Sequence, residues 1–155
     1  MKAIIDFFEG RFDLALNPML EMYAFAAESS MWQFWPCLPL LYNDRPEESL
    51  KFIDTKVKEP GQDIISQLII FMKYVIIGDK DKLQSLLAPD FVKHVQIDSQ
   101  LSWHMAGFYS YIGEKEKSLE WLENAVNRGF INYPFLNEYD KLLNNVREEE
   151  GFNKN

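Results

Sequence analysis

The sequence predicts an all-α fold built from helix-turn-helix units that recur along the chain, and three observations predict it. The first is an echo. VIIGDKDKLQSLLA at 75–88 is written again as YIGEKEKSLEWLENA at 111–125: apolar residues, a glycine, alternating acids and lysines, then a leucine-rich helical stripe. The second is a period. Ala15, Ser49, Leu83 and Ser118 each stand five residues after a turn residue and are separated by 34, 34 and 35 positions. The third is the turn residues themselves: Gly10, Asp44, Gly78 and Gly113. Glycine ends a helix by entering the left-handed region without a Cβ penalty, and aspartate is among the next most tolerant choices. Recurrence at this interval marks a repeat architecture, in which each unit hides its apolar face only against its neighbours.

Helices are expected at 2–9 and 12–27 around Gly10, and at 30–43 and 46–57 around Asp44. Further helices are expected at 63–77 and 80–87 around Gly78, at 90–96, and at 99–112 and 115–128 around Gly113. The first is shorter by more than a turn than its counterpart beginning near Ser99, so either the repeat is trimmed in a natural protein or the chain is a piece excised from a longer one, and excision is the favoured expectation. Within 30–43, Pro36 and Pro39 each delete a backbone donor and predict a kink. Pro46 opens the following helix, and Glu47 and Glu48 complement its dipole. Ala88-Pro89 breaks the second helix of the third unit, and Asp90 starts a short continuation that carries His94. The chain reads as one domain, 1–155, with repeats at 1–27, 30–57, 63–96 and 99–128 and a closing segment at 130–152.

Composition narrows the function. A chain of 155 residues with 47% hydrophobic and 15% aromatic side chains has ample material for a packed core. The formal charge of −8 repels phosphate backbones, and lysines such as Lys80, Lys82, Lys115 and Lys117 alternate with acids, so no direct contact with nucleic acid is expected. Cys37 is the only cysteine, which excludes an internal disulfide and a cysteine-based zinc site. The longest apolar run, LIIFMKYVII at 68–77, is too short to span a bilayer and contains Lys73. MKAIIDFFEG reaches Asp6 and Glu9 before a signal-peptide core has formed. A soluble cytoplasmic protein without membrane contact is expected.

Reactive groups do not converge. His94 and His104 are the only histidines, with no HExxH and no pair spaced for a metal. The seven glycines are scattered, and none forms a phosphate-binding loop. His104, between Trp103 and Met105, reads as a partly buried histidine satisfied by a carbonyl, and Cys37, flanked by Trp35, Pro36 and Leu38, as a small core residue. The acids sit in turns or on polar helix faces. No catalytic residue, cofactor or metal is expected, and the protein reads as a non-enzyme.

Two helices per 34 residues is the tetratricopeptide spacing, and the last complete unit resembles that family residue by residue. MAGFYSYIGEKEKSLEWLENAV has small Ala106, aromatic Tyr109, turn Gly113, small Ser118, large Leu122 and small Ala125. The resemblance covers most of 5–128, strongly at 99–128 and weakly before 60. It implies a right-handed superhelix of helical hairpins, an α-α solenoid. The tail is similar to the segment that closes such arrays at the C-terminal end of bacterial and archaeal signalling proteins: serine/threonine kinases, adenylate cyclases and winged-helix regulators. Gly129, Phe130, Tyr133, Pro134, Phe135, Leu136, Asp140, Leu142, Leu143, Arg147 and Phe152 carry that likeness. Lys141 and EEEG at 148–151 depart from it. A terminal repeat exposes an apolar flank, so a capping segment is expected.

By this resemblance the first helix of each unit lines a concave groove. The register assigns Phe34, Leu38 and Leu41 from the second unit, Leu68, Met72 and Val75 from the third, and Trp103, Gly107 and Ser110 from the fourth. The lining is mostly apolar and lacks the Lys, Arg and Asn with which family members grip charged peptide termini. An exposed apolar groove needs a cover: a protein or peptide partner, a second copy of the chain, the chain's own tail, or closure of the side chains on themselves. The expected function is a non-catalytic interaction or scaffold module, the C-terminal sensory or scaffolding part of a signalling or transcriptional regulator. The alternatives are a sensor of hydrophobic small molecules, with a pocket at Trp32, Phe34, Trp35 and Trp103, and a homodimerisation unit.

Overall fold

A computed structural model describes residues 2–57 and 62–153. The described residues are all-helical, without strands. The chain divides into two compact units, Met1–Ile76 and Ile77–Asn155.

The first unit holds α1 (Lys2–Phe8), α2 (Phe12–Phe25), α3 (Ser30–Phe34), α4 (Cys37–Tyr42), α5 (Pro46–Lys56) and α6 (Ile64–Ile77), the last residue of α6 excepted. The expected single helix at 30–43 is two helices. Pro36 cannot donate to the chain behind it, so α3 ends at Phe34, and the Cys37 thiol donates to the carbonyl of Gln33 at 3.2 Å. The centre of this unit is aromatic. Phe7 is fully buried, with ring centroids 5.2 Å from Phe12, 6.0 Å from Trp35 and 4.9 Å from Tyr42, all edge-on. Nearby, Arg11 donates to the buried carboxylate of Asp6 through Nε at 2.9 Å and through its terminal nitrogen at 2.6 Å. Tyr23 of α2 meets Phe52 of α5 at 5.0 Å, and Lys73 of α6 pairs with Asp54 of α5 at 2.6 Å.

The second unit holds α7 (Lys80–Ser85), α8 (Pro89–Ile97), α9 (Ser99–Tyr111), α10 (Lys115–Asn127) and the tail. The tail is a π-helical turn (Phe135–Tyr139), a 3-10 helix (Lys141–Asn145) and α11 (Glu150–Asn153). The break at Ala88-Pro89 stands where expected: Ala88 is extended and Pro89 opens α8. Asp79 and Asp98 cap α7 and α9 by accepting from the amides of Lys82 (2.9 Å) and Leu101 (2.8 Å). A polar knot joins three helices. Ser102 donates to the carbonyl of Val95, and the Asn124 amide donates to the Ser102 hydroxyl and the Gln96 carbonyl.

The turns repeat in detail. Gly10, Asp44, Gly78 and Gly113 all have positive φ, at 77°, 59°, 78° and 79°. At three of them the same pair of bonds closes the helix. The turn amide donates to the carbonyl three back (Phe7, Leu41, Ser110), and the next amide to the carbonyl five back (Asp6, Leu40, Tyr109). The small residue five after the turn is also used twice in one way. Ser49 donates its hydroxyl to the carbonyl of Cys37 at 3.1 Å, and Ser118 to that of Ala106 at 2.7 Å, each across 12 residues. A bulkier side chain here would hold the two helices apart. In the third unit the equivalent positions are the large, buried Phe71 and Leu83.

Candidate functional site

The nine positions assigned to a concave groove are all buried. Phe34, Leu38, Leu41, Leu68, Met72, Val75, Trp103 and Ser110 lie in the interior, and Gly107 is buried within α9. They do not line an open surface, so of the covers considered for the groove, burial within the chain itself is the one seen. For α9 the physical reason is explicit, because the tail lies on it.

Trp103 shows how the cover works. Its ring stacks on Phe130 at 5.0 Å with planes 15° apart, and Phe135 meets it edge-on at 5.6 Å. Its indole N–H donates to Oδ2 of Asp140 at 2.6 Å, and both side chains are buried. Asp140 is the hub of the tail: Oδ1 accepts from the Leu142 amide at 3.1 Å, and its carbonyl accepts from Arg147 at 2.7 Å. One turn along α9, Gly107 leaves just enough room for Leu142, which a Cβ there would approach to 3.3 Å. A further turn along, the Ser110 carbonyl accepts from Asn145 at 2.8 Å. The tail residues picked out by resemblance are therefore mostly the contact residues. Phe130, Phe135, Leu136, Asp140, Leu142, Leu143 and Phe152 are buried, Gly129 takes φ of 99°, and Tyr133 is left half-exposed.

The residues weighed for chemistry have quiet environments. Burial pushes the Cys37 thiol far above its ordinary range, so it stays protonated and unreactive. His104 is buried beside Trp103 (4.2 Å) and Phe108 (6.2 Å), and loss of solvent pushes its pKa down to about 3. It is a neutral packing residue at ordinary pH. His94 is exposed, with Nδ1 2.6 Å from the carbonyl of Asp90. No group of three or more His, Cys, Asp or Glu that could hold a metal occurs among the described residues. In the suggested sensor pocket, Trp103 is sandwiched by the tail, Trp35 donates to Met31 Sδ at 3.1 Å, and Phe34 is buried. No helix among the described residues is long and apolar enough to cross a membrane.

Two open features lie on the second helices of the first two hairpins. Between α2 and α5 is a cleft of about 520 Å³ with Leu16, Leu20, Leu40 and Phe52 at its apolar parts. Arg45 and Glu48, paired through two bonds of 2.7 and 2.6 Å, and Lys51 edge it. On another side of α2, Leu14, Pro18, Met22 and Phe25 are exposed, Phe25 to 89%. The groove assignment overlooked this stripe. Its signal was present in the sequence as apolar residues spaced 4, 4 and 3 apart, outside the set that α2 buries.

No protein-family model, no curated protein and no solved structure matches this chain.

Proposed function

We propose that the chain is a non-catalytic protein-interaction module: tetratricopeptide-like hairpins stacked in a right-handed superhelix and closed by the tail. It would act in the cytoplasm as the C-terminal sensory or scaffolding part of a signalling or transcriptional regulator. One observation carries the reading. The same turn geometry, and in two units the same buried serine bond, recur at intervals of 34 or 35 residues or their sum. Two ion pairs keep that interval as well: Lys80 with Glu114 and Lys115 with Glu149, each across 34 residues. Such recurrence supports a rigid scaffold rather than a reaction centre, and the neutral, buried His104 and Cys37 agree with that. Because the first-helix positions are interior, the contact surface belongs to the outer faces, where apolar side chains stand among acids.

The test is direct binding by the full chain. Immobilised protein captures partners from a native extract, and a captured polypeptide is then titrated in pure form. The reading expects saturable binding that survives about 150 mM salt. No polypeptide binding, together with a metabolite that raises the melting temperature, would overturn it in favour of a small-molecule sensor.

A further inference from the structure

We infer that the exposed side of α2 is a docking strip for one amphipathic α-helix of a partner protein, a helix whose apolar stripe is flanked by lysine or arginine. The inference rests on the interaction-module reading above and adds to it a place and a partner chemistry.

The place follows from the repeat. α5 carries Phe52, eight positions after its turn, to α2, with Glu48, four after it, at the edge of the cleft between them. Phe52 is 5.0 Å from Tyr23, and Glu48 and Phe52 line the cleft shared with Leu16, Asn17 and Leu20. The residues four and eight after Gly10 are Leu14 and Pro18, and both are exposed. Thus α2 turns outward the side by which its equivalent, α5, brings Phe52 to Tyr23. Met22 and Phe25 continue the strip. At 100° per residue the four side chains fall within about 80° of arc and about 17 Å of length, the footprint of a helix bearing apolar residues at i, i+3, i+4 and i+7.

The chemistry follows from charge. α2 contains no lysine or arginine; Glu21 stands next to the strip on the helix, and Asp13 and, three residues past Phe25, Glu28 are also exposed. Arg11, just before α2, is held by Asp6 and Glu9. A second copy docking here would set these acids against their own counterparts, whereas a cationic flank would meet them with opposite charge. Between a second copy and a cationic helix of a partner, charge favours the cationic helix as the occupant.

The experiment uses the full chain and two labelled peptides of about five turns, alike in a leucine stripe but flanked by lysine in one and glutamate in the other, followed by fluorescence anisotropy. The lysine peptide is expected to bind saturably at one site and at least about tenfold more tightly than the glutamate peptide. Leu14→Gln with Phe25→Gln is expected to weaken it about tenfold or more. The same change at Ile97 and Ile131, exposed residues of the second unit, should leave it unaltered. Glu21→Lys with Glu28→Lys keeps the stripe and should reverse the preference between peptides. Equal affinity for both peptides, no binding of the lysine peptide, or indifference to the α2 variants overturns the inference. So does a wild-type dimer in light scattering that the Gln variant dissolves. If the Gln variant captures the same polypeptide as wild type, the docking strip falls and the interaction-module reading stands.

Discussion

Breaking the clasp between Trp103 and Asp140 should release the tail, and the geometry sets the size of the effect. The indole donates to a carboxylate oxygen at 2.6 Å with both groups buried, so the bond is charge-assisted and poorly replaced by water. Such bonds contribute about 1.5–3 kcal/mol, and a buried group left without its partner costs about 1–3 kcal/mol more. Asp140→Asn keeps the shape but has one oxygen for two donors, Trp103 and the Leu142 amide, so an N–H faces an N–H. The expected loss is about 2–4 kcal/mol. Trp103→Phe removes the donor and part of the surface stacked on Phe130, at about 2–3 kcal/mol. Because the two changes remove one bond, the double variant should lose less than their sum, with a coupling of about 1–3 kcal/mol. Urea unfolding followed by circular dichroism at 222 nm measures all four proteins without relying on tryptophan emission. Additivity to within about 0.5 kcal/mol would refute the clasp.

His104 makes a pH prediction. Its folded pKa lies near 3, below the ordinary 6.5 expected when unfolded. Its contribution is therefore complete above about pH 6.5 and is lost as pH falls toward 3, by an amount of the order of a few kcal/mol near pH 4. His104→Phe should flatten the stability profile between pH 6 and 4 in urea melts. Two glycines separate backbone strain from packing. Gly113→Ala meets no atom within 4 Å but must hold φ of 79°, so it should cost about 1 kcal/mol with the tail undisturbed. Gly107→Ala gains up to about 1 kcal/mol of helix propensity while pressing on Leu142, so amide exchange should quicken at 141–147 with little global change. The Ser110 hydroxyl is buried and makes no hydrogen bond among the described residues, so Ser110→Ala should be neutral or stabilising by about 1 kcal/mol in the same melts.

The turns were legible because a left-handed residue is a local requirement. Gly10, Asp44, Gly78 and Gly113 could be read from spacing, and each has positive φ. Ala15, Ser49 and Ser118 could be read because two helices can approach only over small side chains, and all three are fully buried. The prolines were legible as an interruption, but not that Pro36 would end α3 and leave α4 to restart at Cys37. Which cover the groove positions have was not legible, for a different reason. Helical register says that Trp103, Gly107 and Ser110 share a face of α9, but what lies on that face is tertiary. Phe130, Asp140, Leu142 and Asn145 come from a tail of irregular π and 3-10 turns whose docking no periodicity announces. The division between Ile76 and Ile77 falls at the last residue of α6, beside Gly78, which the sequence marks as one of four equivalent turns and not as a boundary.

The account depends on a hairpin that recurs. An NMR distance map with backbone couplings tests it most directly. It should give matching cross-peaks between Ser49 and Cys37 and between Ser118 and Ala106, with a left-handed coupling at Asp44 like those of the turn glycines. Absence of either cross-peak, or an ordinary right-handed coupling at Asp44, would contradict the recurrence and the interaction module proposed from it.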